Sequence, residues 1–342
     1  MLVPLGSSPE DIRVMKIRFW GTQGSLPAPM TAHMVREKVF RALQAAQGVD
    51  LSSDEKINAF MDSKLPFAVR ATYGTNTSCI QFDNPDGAYI ICDAGSGIRD
   101  LGHSLMMTGE AKQPHTYHIF MTHLHWDHLQ GFPFFVPAYI PGNKIIFHTY
   151  HEACEEAFRR QMSSPEFPVP FEGLAADIEF DVQKPLTPYS IEGFEIDSIL
   201  QNHPGKSYGY RFRKSGKTAV FSTDSEHTHD AYEEDYPFVE FFKDADLVIF
   251  DAQYTMADAT FTKASWGHSS NVMGVELTAR ARAKRLAIFH HEPINTDWQL
   301  DDFLRNTIMY RSIYHQESAD QLGHAQYPEE ILLCYDGLEI DL

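Results

Sequence analysis

The run Thr122-His123-Leu124-His125-Trp126-Asp127-His128 constrains this chain more than any other feature. It closes a β-rich apolar stretch over 118–122, so its first residues leave a strand still extended. Alternate residues of an extended segment point the same way, so His123 and His125 can grip one cation. Asp127 and His128 follow where the chain must turn, and can grip a second cation beside the first. Two cations roughly 3.5–4 Å apart can hold a hydroxide nucleophile and stabilise reacting oxygens, as a hydrolase requires. A purely structural reading would leave several partly buried imidazoles without partners, which is costly. The run therefore predicts a metal site.

Closing a pair of sites takes further ligands, and these are sought at strand ends, where α/β folds place their chemistry. His203 follows a strand-like run over 194–200 and precedes Pro-Gly. Asp224 ends the run over 218–223, and His290 ends the one over 286–290, followed by His291-Glu292-Pro293. Other β-rich runs lie at 16–20, 77–82, 89–93, 144–148, 208–213, 247–251 and 331–335, bounded by Gly, Pro, Asp or Asn. Ser269 and Ser270 fit the N-cap of a helix reaching 283, and Asp297 fits the cap of another reaching 314. Strands that mix direct neighbours with helical crossovers predict an α/β protein with two sheets and outer helices. Residues 28–70 break this rhythm. They hold a helix with Val35, Val39, Phe40 and Leu43 on one side, then a short one with Ile57, Phe60 and Met61 at helical spacing. This reads as a helical hairpin inserted into one domain over 15–342. It serves either as a lid or substrate wall, or as cover for one end of the core. Residues 294–342 read as a C-terminal helix plus strand, and 1–14 as a loose leader.

Composition narrows the function classes. Hydrophobic residues are 43% and charged residues 22%, ordinary for a soluble globular chain. No apolar stretch reaches the roughly 18 residues of a membrane span. The first residues have neither the basic start nor the apolar core of a signal peptide. Cys79, Cys92, Cys154 and Cys334 show no paired spacing, which predicts buried free thiols and a cytoplasmic protein. The net charge of −19 argues against a broad nucleic-acid surface. A small anionic substrate is still allowed, because bound cations invert the local field.

Further motifs follow in order: Phe19-Trp20-Gly21-Thr22-Gln23-Gly24-Ser25, Tyr73-Gly74-Thr75-Asn76-Thr77-Ser78-Cys79, Asp93-Ala94-Gly95-Ser96-Gly97, His203 with Gly209-Tyr210-Arg211, Thr223-Asp224, Trp266-Gly267-His268-Ser269-Ser270 and Phe289-His290-His291-Glu292-Pro293. With the His123 run they make the chain resemble the metallo-β-lactamase superfamily. Within it, the resemblance is to the branch holding ribonuclease Z and the cyclic phosphodiesterase of the phosphonate-degradation pathway. It covers nearly the whole chain from Met15. It implies an αββα sandwich, two mixed sheets flanked by helices, carrying the inserted hairpin. It further implies that His123, His125 and His203 bind one metal, that Asp127, His128 and His290 bind a second, and that Asp224 bridges them. A hydroxide shared by the metals would be the nucleophile, with Asp127 among the catalytic groups. His290 and His291 both stand at the sixth position, and the strand end favours His290. His268 matches the histidine that serves ribonuclease Z-like enzymes as general acid, and Asp251 resembles its acidic partner, although Asp stands where a longer Glu often appears. An imidazolium held by a carboxylate can protonate an alkoxide leaving group. Helix capping or a core position is the alternative for His268.

Asp93 either fixes the tautomer of a ligand imidazole or simply ends a strand. Asn76 and Thr77 hold a loop near the site and can touch substrate. Trp126 reads as packing, and Arg211 as a phosphate contact or a surface charge. Phe132-Pro133-Phe134-Phe135 reads as core plus pocket wall. Gly21-Thr22-Gln23-Gly24-Ser25 lacks the lysine of a phosphate-binding loop. Glu233-Glu234-Asp235 reads as a solvated face, and Cys154 has no partner to make it a nucleophile.

The resulting expectation is a two-metal phosphodiesterase acting on a small or cyclic phosphodiester. A ribonuclease Z-like endoribonuclease is the alternative. Residues 148–179 have room for the arm such an enzyme uses, but contain Glu152, Glu155, Glu156 and Glu166 and no glycine- and lysine-rich tip. A metal-bound sensor domain without turnover is a third reading, though such domains usually lose ligands and all seven are present. True β-lactamases of this fold usually lack the bridging aspartate. Histidine-rich sites suit zinc, and Asp127 and Asp224 also tolerate manganese or iron. Relatives often form homodimers, but no apolar patch in the sequence establishes one.

Overall fold

A computed structural model describes residues 15–84, 87–318 and 326–342; the expected leader over 1–14 lies outside the described residues. The first sheet holds β1 (Lys16–Gly21), β2 (Cys79–Phe82), β3 (Tyr89–Cys92), β4 (Thr116–Phe120), β5 (Lys144–Thr149), β6 (Asp177–Val182) and β14 (Glu339–Asp341), in the order β14-β1-β2-β3-β4-β5-β6. The second holds β7 (Tyr189–Ile191), β8 (Phe194–Gln201), β9 (Ser207–Lys214), β10 (Lys217–Ser222), β11 (Leu247–Asp251), β12 (Arg285–Phe289) and β13 (Glu330–Leu333), in the order β13-β12-β11-β10-β9-β8-β7. Pairing is parallel from β3 to β6 and from β10 to β13, and antiparallel elsewhere. β11 is buried along its whole length, as a central parallel strand covered on both faces should be.

Three apolar layers result. Phe19, Phe82, Phe120, Phe194, Phe212 and Phe289 pack between the sheets. The outer face of the first sheet is covered by α4 (Gly97–Thr108) and α6 (Cys154–Gln161). That of the second is covered by α7 (Pro237–Phe242), α8 (Asn271–Arg280) and α9 (Asp297–Glu317). This is the two-sheet, helix-flanked sandwich expected from the sequence. Three strands escaped the sequence reading, namely β6, β7 and β14. All are sheet edges, two are only three residues long, and their burial is too weak to leave an apolar pattern. The segment over 294–342 therefore carries two strands, one in each sheet.

The cap positions shift slightly. Ser270 caps α8, while the Ser269 hydroxyl donates to Ser225 O. Thr296, not Asp297, caps α9, forming a capping box with Gln299. Asp297 instead accepts from Lys38 Nζ at 2.5 Å, from Thr72 Oγ1 at 3.2 Å and from Tyr73 N at 2.9 Å.

That ion pair orients the inserted helices. The insertion forms α1 (Ala32–Ala45), α2 (Asp54–Lys64) and α3 (Phe67–Arg70). Lys38 is the buried residue of α1, whereas Val35, Val39, Phe40 and Leu43 are exposed. The apolar stripe thus does not set the rotation of α1. Lys38 also donates to Ala68 O and Ala71 O, and Arg41 stacks on the Trp298 ring at 4.3 Å. A desolvated, fully hydrogen-bonded cation admits one geometry, whereas apolar contact is non-directional. Lys38→Met, which leaves Asp297 without its cation, is expected to cost about 3–5 kcal/mol. Urea denaturation reads the effect, and an unchanged midpoint would refute the anchoring role.

Candidate metal centre

The carboxyl ends of β3, β4, β8, β10, β11 and β12 all open on one edge of the sandwich, because the parallel and alternating pairings give these strands common directions within their sheets. Asp93, the 122–128 run, His203, Asp224 and His290 follow those ends, and Asp251 is the last residue of β11. His125 is extended and precedes the short helix α5 (Trp126–Leu129), which turns Asp127 and His128 back toward the site. Asp93, Asp224 and His290 have φ of 61°, 54° and 62°. Left-handed backbone at a residue other than glycine costs about 1–2 kcal/mol, and such strain gathers at functional sites.

Two clusters form. Nitrogens of His123, His125 and His203 lie within 4.8 Å of one another, as do ligand atoms of Asp127, His128, Asp224 and His290. His125 Nδ1 faces His203 Nε2 at 2.9 Å. Asp224 joins the clusters. Its Oδ2 is 3.6 Å from His123 Nε2 and 3.7 Å from His203 Nε2, while its Oδ1 is 3.2 Å from His128 Nε2 and 3.3 Å from His290 Nε2. Asp127 Oδ2 lies 3.4 Å from His128 Nε2 and 3.3 Å from His290 Nε2. His123 Nε2 and His128 Nε2 are buried without a hydrogen-bond partner. Leaving such a group unsatisfied costs about 1–3 kcal/mol. Orphaned imidazole nitrogens converging with two carboxylates are a donor set suited to divalent cations, so these residues can hold a pair of metals.

The surrounding shell aims these rings. Asp93 Oδ2 accepts from His128 Nδ1 at 2.7 Å, which leaves Nε2 for the cluster. Asp93 is itself held by Ser78 Oγ and by the backbone N–H and hydroxyl of Thr122. His203 Nδ1 donates to Gly267 O at 2.8 Å, and Ser25 N donates to Asp127 Oδ2 at 2.8 Å. His291 turns away, donating from Nε2 to Cys334 O at 2.7 Å, and burial pushes its pKa down to about 4. The choice at the strand end thus falls on His290.

His268 sits at the edge of the clusters. Its Nδ1 is 2.9 Å from Asp251 Oδ2 and 3.9 Å from Asp224 Oδ2, and its ring centroid is 5.0 Å from that of His290. Burial disfavours its charge, but the Asp251, Asp224 and Asp127 carboxylates outweigh this and raise its pKa to about 9. Asp251 also accepts from Ser225 N and Gln253 N, so it is a fixed partner.

Other expectations sort themselves out. Asn76 bonds Asp100 and Ser96, and Thr77 bonds Ser96 and Gln130, so both brace the loop. Arg211 pairs with Asp197 on the sheet surface and contacts Glu240 O and Phe241 O. Trp126, expected to pack, is 66% exposed. Phe132 and Phe135 are core, whereas Phe134 is exposed. All four cysteines are buried free thiols. One organiser was missed. Half-buried Asp336 accepts from Thr22 N and Oγ1, Thr75 N and Asn76 N, fastening the two loops that flank the site. Burial raises its pKa to about 6 against those donors. An acid at a strand-to-turn step, Tyr335-Asp336-Gly337, was the available signal.

The family model described as the beta-lactamase superfamily domain matches residues 88–291, and the chain belongs to this superfamily of metal-dependent hydrolases. A 164-residue stretch is 29% identical to ribonuclease Z of Staphylococcus carnosus (strain TM300), covering 43% of this chain and 47% of that protein. The match thus spans about half the length of that curated relative. Among solved structures, the metallo-beta-lactamase fold protein YhfI from Bacillus subtilis superposes with a TM-score of 0.59 at 15% identity, covering 96% of this chain and 99% of that one. A diphosphatase of the PhnP family superposes with a TM-score of 0.55 at 17% identity, covering 96% and 98%. Both likenesses are of fold. Among the described residues, no helix is long and apolar enough to cross a membrane.

Proposed function

We propose that this protein is a two-metal phosphodiesterase that cleaves a small or cyclic phosphodiester. The observation that carries the reading is the His268–Asp251 pair at 2.9 Å, standing beside an aspartate whose two oxygens face two separate ligand clusters. His123, His125 and His203 would hold one cation, Asp127, His128 and His290 the other, and Asp224 both. Bound divalent cations supply Lewis acidity, bringing the pKa of water towards neutrality and offsetting phosphoryl charge. Zinc suits this imidazole-rich set best, with manganese or iron next. Asp93 and Gly267 O orient the ligand imidazoles through their distal nitrogens. His268, protonated against Asp251, delivers its proton to the departing oxygen from Nε2, because Nδ1 is engaged by the carboxylate. The alkoxide of a departing ester needs the proton that this pair supplies, and the reading is therefore an ester of phosphate. Four buried free thiols fit a reducing compartment, and we place the protein in the cytoplasm.

A second reading, a ribonuclease Z-like endoribonuclease, is favoured by the partial match to that enzyme. The charge of −19 weighs against it, since a long RNA must be held by clustered cations. One metal-loaded sample tested on bis(4-nitrophenyl) phosphate, cyclic mononucleotides, pre-tRNA and a chromogenic lactam separates these readings. We expect turnover of the small diesters. Preferential cutting of pre-tRNA would reverse the ranking, and two equivalents of metal with no hydrolysis would indicate a sensor.

A further inference from the structure

We propose that Glu226 is a positioning residue that sets the loop carrying His268 and, through the same loop, the orientation of His203. The part concerning His268 rests on the general-acid reading above.

Glu226 lies two residues after Asp224 on the turn that leaves β10. Its backbone N–H donates to Asn202 O at 2.9 Å, fastening this turn to the segment that ends in His203. Its side chain reaches the other way: Oε1 accepts from Ser265 N at 2.8 Å and Oε2 accepts from Gly267 N at 3.3 Å. Both donors have left-handed backbone, with φ of 67° at Ser265 and 87° at Gly267. For a serine that conformation is uphill and needs an external hold. Gly267 has no freedom to change, because a Cβ there would lie 2.3 Å from His203 Nδ1. Its carbonyl is the acceptor for that same nitrogen. One carboxylate therefore grips the amide of a glycine whose carbonyl orients His203 and whose next residue is His268.

The residues beside it extend the pattern. Ser225 N donates to Asp251 Oδ2 at 3.1 Å, and Ser225 O accepts from Ser269 Oγ at 2.5 Å. Residues 224, 225 and 226 thus fasten in turn the two ligand clusters, the partner of His268 and the loop before His268. The carboxylate of Glu226 is directed at two backbone amides, a use that fixes geometry.

A merely structural staple would lower turnover of every substrate alike. A misplaced proton donor harms esters with basic leaving groups most. Glu226→Ala, Glu226→Gln and His268→Ala are therefore compared, metal-replete and full length, on bis(4-nitrophenyl) phosphate and diphenyl phosphate. For Glu226→Ala we expect kcat on diphenyl phosphate to fall by about 10²-fold, the penalty of an ångström-scale misplacement, and by less than about tenfold on the nitrophenyl ester, whose leaving group departs without a proton. Glu226→Gln keeps an acceptor oxygen and should recover most of the loss. Amide hydrogen exchange over 263–268, measured on the same proteins without substrate, should quicken in Glu226→Ala. Equal losses on both esters, or unchanged turnover and exchange, would overturn the proposal. If His268→Ala shows no difference between the esters, the general-acid reading has failed. Faster exchange in Glu226→Ala then retains the loop-holding role, and unchanged exchange removes it.

Discussion

Asp224→Ala is expected to strip the protein of its paired cations and lower kcat/KM by on the order of 10³-fold, about 4 kcal/mol of transition-state stabilisation. Each Asp224 oxygen faces a different histidine cluster, and the residue is buried. Removing it takes one negative charge from both sites at once and leaves imidazoles as the bulk of each donor set. In a desolvated pocket that loss is not replaced by water at comparable strength. Asp224→Asn is the companion variant, keeping size and one acceptor oxygen while losing the charge. Metal content by plasma mass spectrometry and turnover of bis(4-nitrophenyl) phosphate read the effect. Two equivalents of metal with near wild-type turnover in Asp224→Ala would sink the bridging assignment.

His268→Ala is expected to leave metal content intact and lower kcat by about 10²–10⁴-fold on esters with basic leaving groups, the usual range for a lost general acid. The separation of effects is the point. His268 bonds Asp251 through Nδ1 and approaches Asp224 only at 3.9 Å, so its loss spares the seven residues of the two clusters. A metal ligand would show the reverse, with metal and rate lost together. Unchanged kcat on diphenyl phosphate, or loss of metal, would remove the assignment. Asp251→Asn should follow the same direction, since it removes the charge that favours the imidazolium.

These expectations rest on residues that were legible at very different depths. The His123 run needed only the twofold repeat of an extended chain and one turn. His203, Asp224 and His290 needed strand ends to be located, and β8, β10 and β12 were strongly enough patterned for that. Edge strands β6, β7 and β14 were not, because a half-exposed strand leaves no apolar signature. The helices of the insertion were legible as helices, but not the face they bury. There a single lysine overrode the Val35–Leu43 stripe, since its partner Asp297 stands 259 residues away.

Local order alone therefore determined the donors: which side chains can bind a cation, and that they follow strands, because strand periodicity and residue chemistry are properties of neighbours along the chain. Only the tertiary structure decided how they meet. It gave each oxygen of Asp224 its own cluster, aimed His291 into the core and not at the clusters, placed Asp251 under His268, and brought Glu226 and Asp336 to loops far away in sequence. Those outcomes are set by which strand ends share one edge of the two sheets, and by left-handed backbone at Asp93, Asp224 and His290. Such strain is tolerated only where the surrounding hydrogen bonds over-determine it, and no window of sequence contains those partners together.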